Sequence, residues 1–146
     1  MSKDDNKDIE YVDADETMKA RLVALWGEII ERHMHIENGF SIVSVHAGEP
    51  IGLISVYWRL LPPPLPPTKE GYIDIIEVIE GYRRKGVAAE LVRLSAERAR
   101  KQGAYQLRAW SSEDKVEAIP MWKALGFALC PITGQQINGY FVTKPL

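Results

Sequence analysis

The chain has 146 residues, 46% apolar and 26% charged, with 18 basic against 20 acidic side chains and a formal charge of −2. That length suits one domain able to bury about two-thirds of its unfolded surface, and the near balance of charge excludes a global basic field that would recruit nucleic acid. No apolar run approaches the roughly 20 residues of a membrane helix, and the single cysteine, Cys130, excludes an intramolecular disulfide and suggests a reducing, cytoplasmic setting.

In chain order, residues 1–8 are charged without an apolar core, so they are expected to fray rather than act as a signal peptide. Ile9–Asp13 reads as a short first strand. Asp13 or Asp15 can cap a helix over about residues 16–35, with Glu16 available to complete a box from Asp13. Leu22, Leu25, Trp26, Ile29 and Ile30 recur at helical spacing and are expected to pack one face on a core. His33 and His35 sit two apart; on that helix they lie on different faces and make poor joint ligands, so no metal is expected. Phe40–His46 and Pro50–Leu60 read as antiparallel strands turned by Gly48-Glu49. Pro62-Pro63-Pro64-Leu65-Pro66-Pro67 cannot enter a sheet interior and is expected to be a stiff, extended connector, its P-x-x-P pattern a loop staple or lid.

Tyr72–Ile79 reads as the central strand. A helix follows over about residues 86–102, burying Ala88, Leu91, Val92, Ser95 and Ala99 and stopping at Gly103. Arg98, Arg100 and Lys101 suit its C-terminal dipole and need no ligand. A strand at Tyr105–Trp110, a helix around Trp122, and strands near Phe127–Cys130 and Gly139–Thr143 complete the pattern, the last two joined through Thr133-Gly134. The order β-α-β-β-β-α-β-α-β-β, without internal repeats, predicts a single α/β domain: a mixed sheet with helices on both faces.

The stretch between Val78 and Ala89 carries the chemistry. A β-type apolar run feeds a turn, Arg83-Arg84-Lys85-Gly86, and a helical pattern opens at once. Backbone N–H groups in the first turn of a helix have no internal partners, and the dipole adds positive charge there. Such a turn binds phosphate, with Arg83, Arg84 and Lys85 as surrounding cations. Gly81 and Gly86 allow a sharp bend and close approach of a ligand oxygen. Val87-Ala88 stand where a Walker loop requires Lys-Ser/Thr, and the three glycines of a dinucleotide fingerprint are lacking, so neither nucleotide class fits.

The motif Arg83-Arg84-Lys85-Gly86-Val87-Ala88, after a strand ending in Val78, resembles the acetyl-CoA-binding signature of the GCN5-related N-acetyltransferase superfamily. A second stretch, Lys115-Val116-Glu117-Ala118-Ile119-Pro120-Met121-Trp122-Lys123-Ala124-Leu125-Gly126-Phe127, is similar to the superfamily's later helix running through Gly-Phe into a strand. Ala118, Gly126 and Phe127 match in register; Lys115 replaces the usual Asn and Trp122 the usual Tyr. The resemblance covers residues 71–130. It implies that superfamily's mixed, mostly antiparallel central sheet, and acetyl-CoA as cosubstrate held by Val78, Ile79, Glu80, Arg83, Arg84, Lys85, Gly86, Val87, Ala88, Ala89, Lys115 and Trp122.

The implied reaction is direct attack of a primary amine, on a small molecule or a protein, upon the thioester. An alkyl amine with pKa near ~10.4 arrives protonated and must lose a proton. Asp74 and Glu77 are the candidates on the strand before the turn, placed on opposite faces by alternation, and the superfamily's acidic position on this strand favours Asp74. A backbone N–H near Val78 is expected to hold the oxyanion. Trp122 offers an N–H to the sulfur but no titratable proton; Tyr140 or Tyr105 would have to supply one. Cys130 has no evident His partner and is not expected to be a nucleophile. The partners implied are acetyl-CoA and an amine acceptor, without nucleic acid, membrane or metal; a homodimer is compatible. Lys115 and Trp122 sustain a different reading, a non-catalytic acyl-CoA-binding module of the same fold.

Overall fold

The helix expected over residues 16–35 is two helices, because Gly27 interrupts it. α1 spans Glu16–Trp26 and α2 spans Glu28–His33. Gly27 adopts φ +87° and donates its N–H to the Val23 carbonyl, closing α1 in a conformation that a Cβ would disfavour. Asp15, not Asp13, caps α1, its Oδ1 accepting from the Met18 N–H at 2.8 Å. The expected apolar stripe is buried only in part: Leu22 and Ile30 are fully buried, but Leu25 is 54% and Ile29 46% exposed. α2 ends at His33, since Met34 is extended (φ −95°, ψ 121°).

A computed structural model describes residues 8–112, 115–132 and 139–146. Its strands are β1 (Ile9–Asp13), β2 (Gly39–His46), β3 (Glu49–Leu60), β4 (Lys69–Val78), β5 (Gln106–Ser112), β6 (Ala128–Ile132) and β7 (Gly139–Pro145). Two further helices are α3 (Val87–Lys101) and α4 (Ile119–Ala124), and short 3-10 turns occupy Glu80–Tyr82 and Val116–Ala118. The sheet order is β1-β2-β3-β4-β5-β7-β6. The β1–β2, β2–β3, β5–β7 and β6–β7 ladders are antiparallel and β4–β5 is parallel. This is the mixed, mostly antiparallel sheet that the sequence implied.

The chain divides into two compact units. The first takes the chain up to Tyr57 together with Asp74–Ser95, and the second takes Trp58–Ile73 and Ala96–Leu146. In the first, Leu22, Ile30, Met34, Val43, Leu53 and Ile75 form the core, flanked by partly buried Val12, Met18, Val23, Trp26 and Ile36. The β2–β3 turn is Ala47-Gly48 rather than Gly48-Glu49: His46 pairs with Glu49, and both turn residues have positive φ, the pattern of a tight type I′ connection. Ser41 and Ser55 are buried on this hairpin and bond each other at 2.9 Å.

In the second unit, the proline segment is folded into turns rather than extended. Leu65 N–H donates to Pro62 O and Thr68 N–H to Leu65 O, while Leu61 N–H closes the loop on Thr68 O at 2.8 Å. Five prolines donate nothing, so the few remaining N–H groups define the turns. Leu107, Ala109, Trp122, Phe127, Tyr140 and Val142 are buried in this unit. Glu70 is also buried, and its carboxylate accepts from Arg108 Nε at 3.0 Å, Arg108 Nη2 at 2.7 Å and Gln106 Nε2 at 2.7 Å. Arg59 approaches it at 3.7 Å, and both guanidiniums lie over the Tyr72 ring. α3 runs through both units; along it Val87, Leu91, Val92, Ser95, Ala96 and Ala99 are buried, whereas Ala88 is only half-buried. The expected Thr133-Gly134 connection lies outside the described residues.

Candidate active site

The segment from Val78 to Ala89 is a strand, a turn and a helix start, as its sequence required. β4 ends at Val78, the 3-10 turn follows, and the chain then reverses through two left-handed residues, Arg84 (φ +64°) and Gly86 (φ +82°). Glu90 N–H makes the first helical bond to Gly86 O at 3.0 Å, so Gly86 is the N-cap of α3. A glycine there supplies no side-chain acceptor, and the N–H groups of Val87, Ala88 and Ala89 have no partner within the helix. With the dipole of a 15-residue helix behind them, these N–H groups are able to receive an anion. A Cβ built on Gly86 would meet no protein atom within 4 Å, so the space before the helix is open to a pyrophosphate.

The turn is tied down on two sides. Arg83 Nε donates to the Val78 carbonyl at 2.9 Å and clasps the strand end to the turn. Arg83 is thus a bracing residue as well as a cation. Tyr82 is hydrogen-bonded through its hydroxyl to His46 Nδ1 on β2, and Lys85 Nζ lies 5.5 Å from the Tyr82 ring centroid. Nothing in the sequence pointed to His46, which stands 36 residues from Tyr82. Val87 is buried, so it can meet a ligand only through its backbone, and Glu80 is exposed on the 3-10 turn. Ile79 N–H donates to Ile51 O at 2.9 Å, which removes it from the candidates for an oxyanion donor near Val78.

Asp74 and Glu77 have different surroundings. The β4–β5 ladder covers Gly71–Ile73, and Asp74 is the first β4 residue beyond it. Its Oδ2 lies 3.1 Å from His33 Nδ1 and 2.8 Å from His35 Nε2. The two histidines therefore converge. The expectation that they diverge assumed one continuous helix; with α2 ending at His33, a spacing of two along extended chain brings side chains to the same side. Among the described residues no group of three His, Cys, Asp or Glu has metal-holding geometry. Glu77 is exposed and lines a cavity of about 230 Å³ with Trp26, Ile29, Ile30, Val78, Ile79 and Arg83. Trp26 and Ile30 thus border both the core and this cavity.

The remaining expected residues belong to the second unit. Tyr140 is buried, and its hydroxyl donates to the Lys115 carbonyl at 2.8 Å. Trp122 is 4% exposed with its ring edge-on to Phe127 at 4.9 Å, the packing of a core residue. Its Nε1 is buried and has no hydrogen-bond partner among the described residues. Tyr105 is exposed at the chain segment before β5, and Cys130 is exposed on β6.

The model of the acetyltransferase (GNAT) family matches residues 5–127. No curated protein matches the chain. Among solved structures, Arabidopsis thaliana NAA60 in complex with acetyl-CoA is similar with a TM-score of 0.77 at 16% identity, over 94% of this chain and 98% of that one. The GNAT domain of S. lividans PAT gives 0.77 at 15%, over 94% and 90%. Arabidopsis thaliana Naa50 in complex with the bisubstrate analogue CoA-Ac-MVNAL gives 0.75 at 15%, over 95% and 99%. At these identities the likeness is one of fold.

Proposed function

The chain belongs to the acetyltransferase (GNAT) family and is an acetyl-CoA-dependent N-acetyltransferase; we propose that it passes the acetyl group directly to a primary amine carried by a small molecule or a protein. The observation that carries this reading is the Gly86 N-cap, with open space before it and three helix-start N–H groups behind it. Arg84 and Lys85 add charge on the same turn. Bound acetyl-CoA supplies an activated acyl carbon and a thiol leaving group.

This chain's residues must bind the pyrophosphate, orient the arm along β4 and take a proton from the amine. An alkyl ammonium near pKa ~10.4 is not nucleophilic at neutral pH, so proton removal is the step that needs a protein group. We assign that step to the Asp74 end of β4. Glu77, facing an apolar cavity, is the alternative carboxylate and a candidate to attract the cationic acceptor. A thiol with an ordinary pKa near ~8.5 leaves tolerably as thiolate. The indole of Trp122 has no titratable proton, and the hydroxyl proton of Tyr140 is directed at the Lys115 carbonyl; both observations favour departure without a protein acid. The exposed thiol of Cys130 is in keeping with a reducing, cytoplasmic setting.

The test is calorimetry with acetyl-CoA, then thiol release across a panel of amines and peptides with mass detection of acetylated product. Turnover on at least one acceptor is expected. Tight acetyl-CoA binding without turnover on any acceptor would favour the non-catalytic module. Light scattering on the same preparation tests the homodimer.

A further inference from the structure

The cluster around Asp74 on β4 goes beyond the lone carboxylate that the sequence favoured. Asp74 Oδ2 meets His33 Nδ1 at 3.1 Å and His35 Nε2 at 2.8 Å. An ionised carboxylate only accepts, so each imidazole presents an N–H to it. That fixes both tautomers: the lone pairs lie on His33 Nε2 and His35 Nδ1, directed away from Asp74. Both lone pairs of Oδ2 are engaged by these donors, so a proton can reach the carboxylate only at Oδ1, where it would weaken the acceptor on which both imidazoles depend. The opposite imidazole nitrogens can each take a proton without breaking a contact, and the imidazolium so formed stays paired with Asp74.

The arrangement is held in place. His35 N–H donates to Ser55 Oγ at 2.7 Å, and Ser41 Oγ donates to the His35 carbonyl at 2.7 Å. The His35 ring packs on Tyr57 with centroids 4.7 Å apart. His33 is fixed by its place as the last residue of α2. Side-chain exposure runs from 21% for Asp74 and 26% for His35 to 42% for His33, so the cluster leads from a shielded carboxylate to solvent. Among the described residues, the titratable groups in contact within and around it are Asp74 from β4, the two imidazoles, and Tyr57 from β3 against the His35 ring.

We propose that His33, Asp74 and His35 form one proton-accepting unit, in which Asp74 is the positioning residue and an imidazole nitrogen, directly or through one water, takes the proton of the acceptor ammonium. This rests on the acetyl-transfer reading. The ammonium gives one proton to the imidazole, and the amine nitrogen forms the new C–N bond as the C–S bond breaks. The second amine proton goes to the departing sulfur, and the imidazolium returns the first to solvent. Overall, ammonium and acetyl-CoA become amide, CoA thiol and one released proton. Imidazole is the side chain class that changes charge between about pH 5 and 8, which suits a base working near neutrality.

Two measurements test this. First, imidazole nitrogen NMR of the free protein reads the tautomers without any turnover. His33 is expected as the Nδ1–H form and His35 as the Nε2–H form, and Asp74→Asn should change both tautomer populations. Second, His33→Asn, His35→Gln and their double variant are compared with the wild type on the best acceptor. The double variant should lose about 10²–10⁴-fold in kcat, lose the acidic limb of the pH–rate profile, and keep acetyl-CoA affinity within about twofold. Added imidazole should partly restore His35→Ala. Inverted tautomers that ignore Asp74→Asn, or a double variant keeping kcat within about threefold and its acidic limb, overturn the proposal. Absence of turnover in the wild type would strike the acetyl-transfer reading instead, while the tautomers still decide whether the unit exists. If the double variant does not fold, Asp74→Asn and the tautomer measurement decide alone.

Discussion

Replacing Gly86 separates backbone strain from ligand electrostatics. Its φ of +82° is unfavourable for an L side chain, and an added Cβ meets no protein atom within 4 Å. Gly86→Ala should therefore cost only the left-handed conformation, about 1–2 kcal/mol, partly offset by a stiffer unfolded chain, about 0.4–1 kcal/mol. The net loss, near 1 kcal/mol, corresponds to a fall of about 2–4 °C in Tm for a chain of roughly this size. Gly86→Asn and Gly86→Asp both tolerate this backbone region and differ only in charge. A carboxylate about 5 Å from one pyrophosphate charge is repelled by about 1 kcal/mol at the dielectric of water and about 3 kcal/mol at an effective value of ~20. Acetyl-CoA affinity should thus fall from about 5-fold to over 100-fold further in the Asp variant than in the Asn variant. Isothermal calorimetry at low and high salt reads this directly, and the gap should narrow with salt. Equal affinities for the Asn and Asp variants, both folded, would show that no ligand phosphate approaches the α3 start.

Tyr82→Phe removes the hydroxyl that His46 engages. With the net worth of one hydrogen bond near 1 kcal/mol, acetyl-CoA affinity should weaken about 2- to 10-fold, and an unchanged dissociation constant would mean that the turn is held without this bond. Asp74→Asn should reduce turnover with little change in acetyl-CoA affinity, whereas Glu77→Gln should act mainly on the acceptor KM. The reverse pattern in steady-state kinetics would move the proton step to Glu77. Burial pushes the Glu70 carboxyl up, but hydrogen bonds from Arg108 and Gln106 and the charges of Arg108 and Arg59 outweigh it and hold the group below its usual 4.5. A depressed folded value means that the stabilisation is present above the unfolded value and is lost as pH falls through the folded one. Urea midpoints should therefore drop below about pH 4.5 in the wild type. Glu70→Gln should cost about 3 kcal/mol at neutral pH and flatten that slope, and an equal slope in both proteins would assign it to other carboxylates.

The parts legible in the sequence were those that neighbouring residues dictate. Val78, Gly86 and the apolar spacing of Leu91, Val92, Ser95 and Ala99 specify strand end, turn and helix within some twenty residues, because strand alternation, helix periodicity and left-handed φ are local properties. The helix expected over residues 16–35 missed the break at Gly27 for a related reason. A glycine inside a helical pattern costs only about 1 kcal/mol, so periodicity alone cannot say whether the helix tolerates it or stops. The chain stops α1 at Gly27 and begins a second, short helix that ends at His33, with Ile29 exposed beside Glu77. Contacts across long separations were decided by tertiary structure. His33 and His35 reach Asp74 across 41 and 39 residues, and His46 reaches Tyr82 across 36. Such pairings follow from strand register and helix packing, which place backbone segments together irrespective of the side chains they happen to carry. The sequence alone placed the strand end at Val78, the turn at Gly86 and the start of α3; only the folded chain determined that two imidazoles converge on the carboxylate of β4.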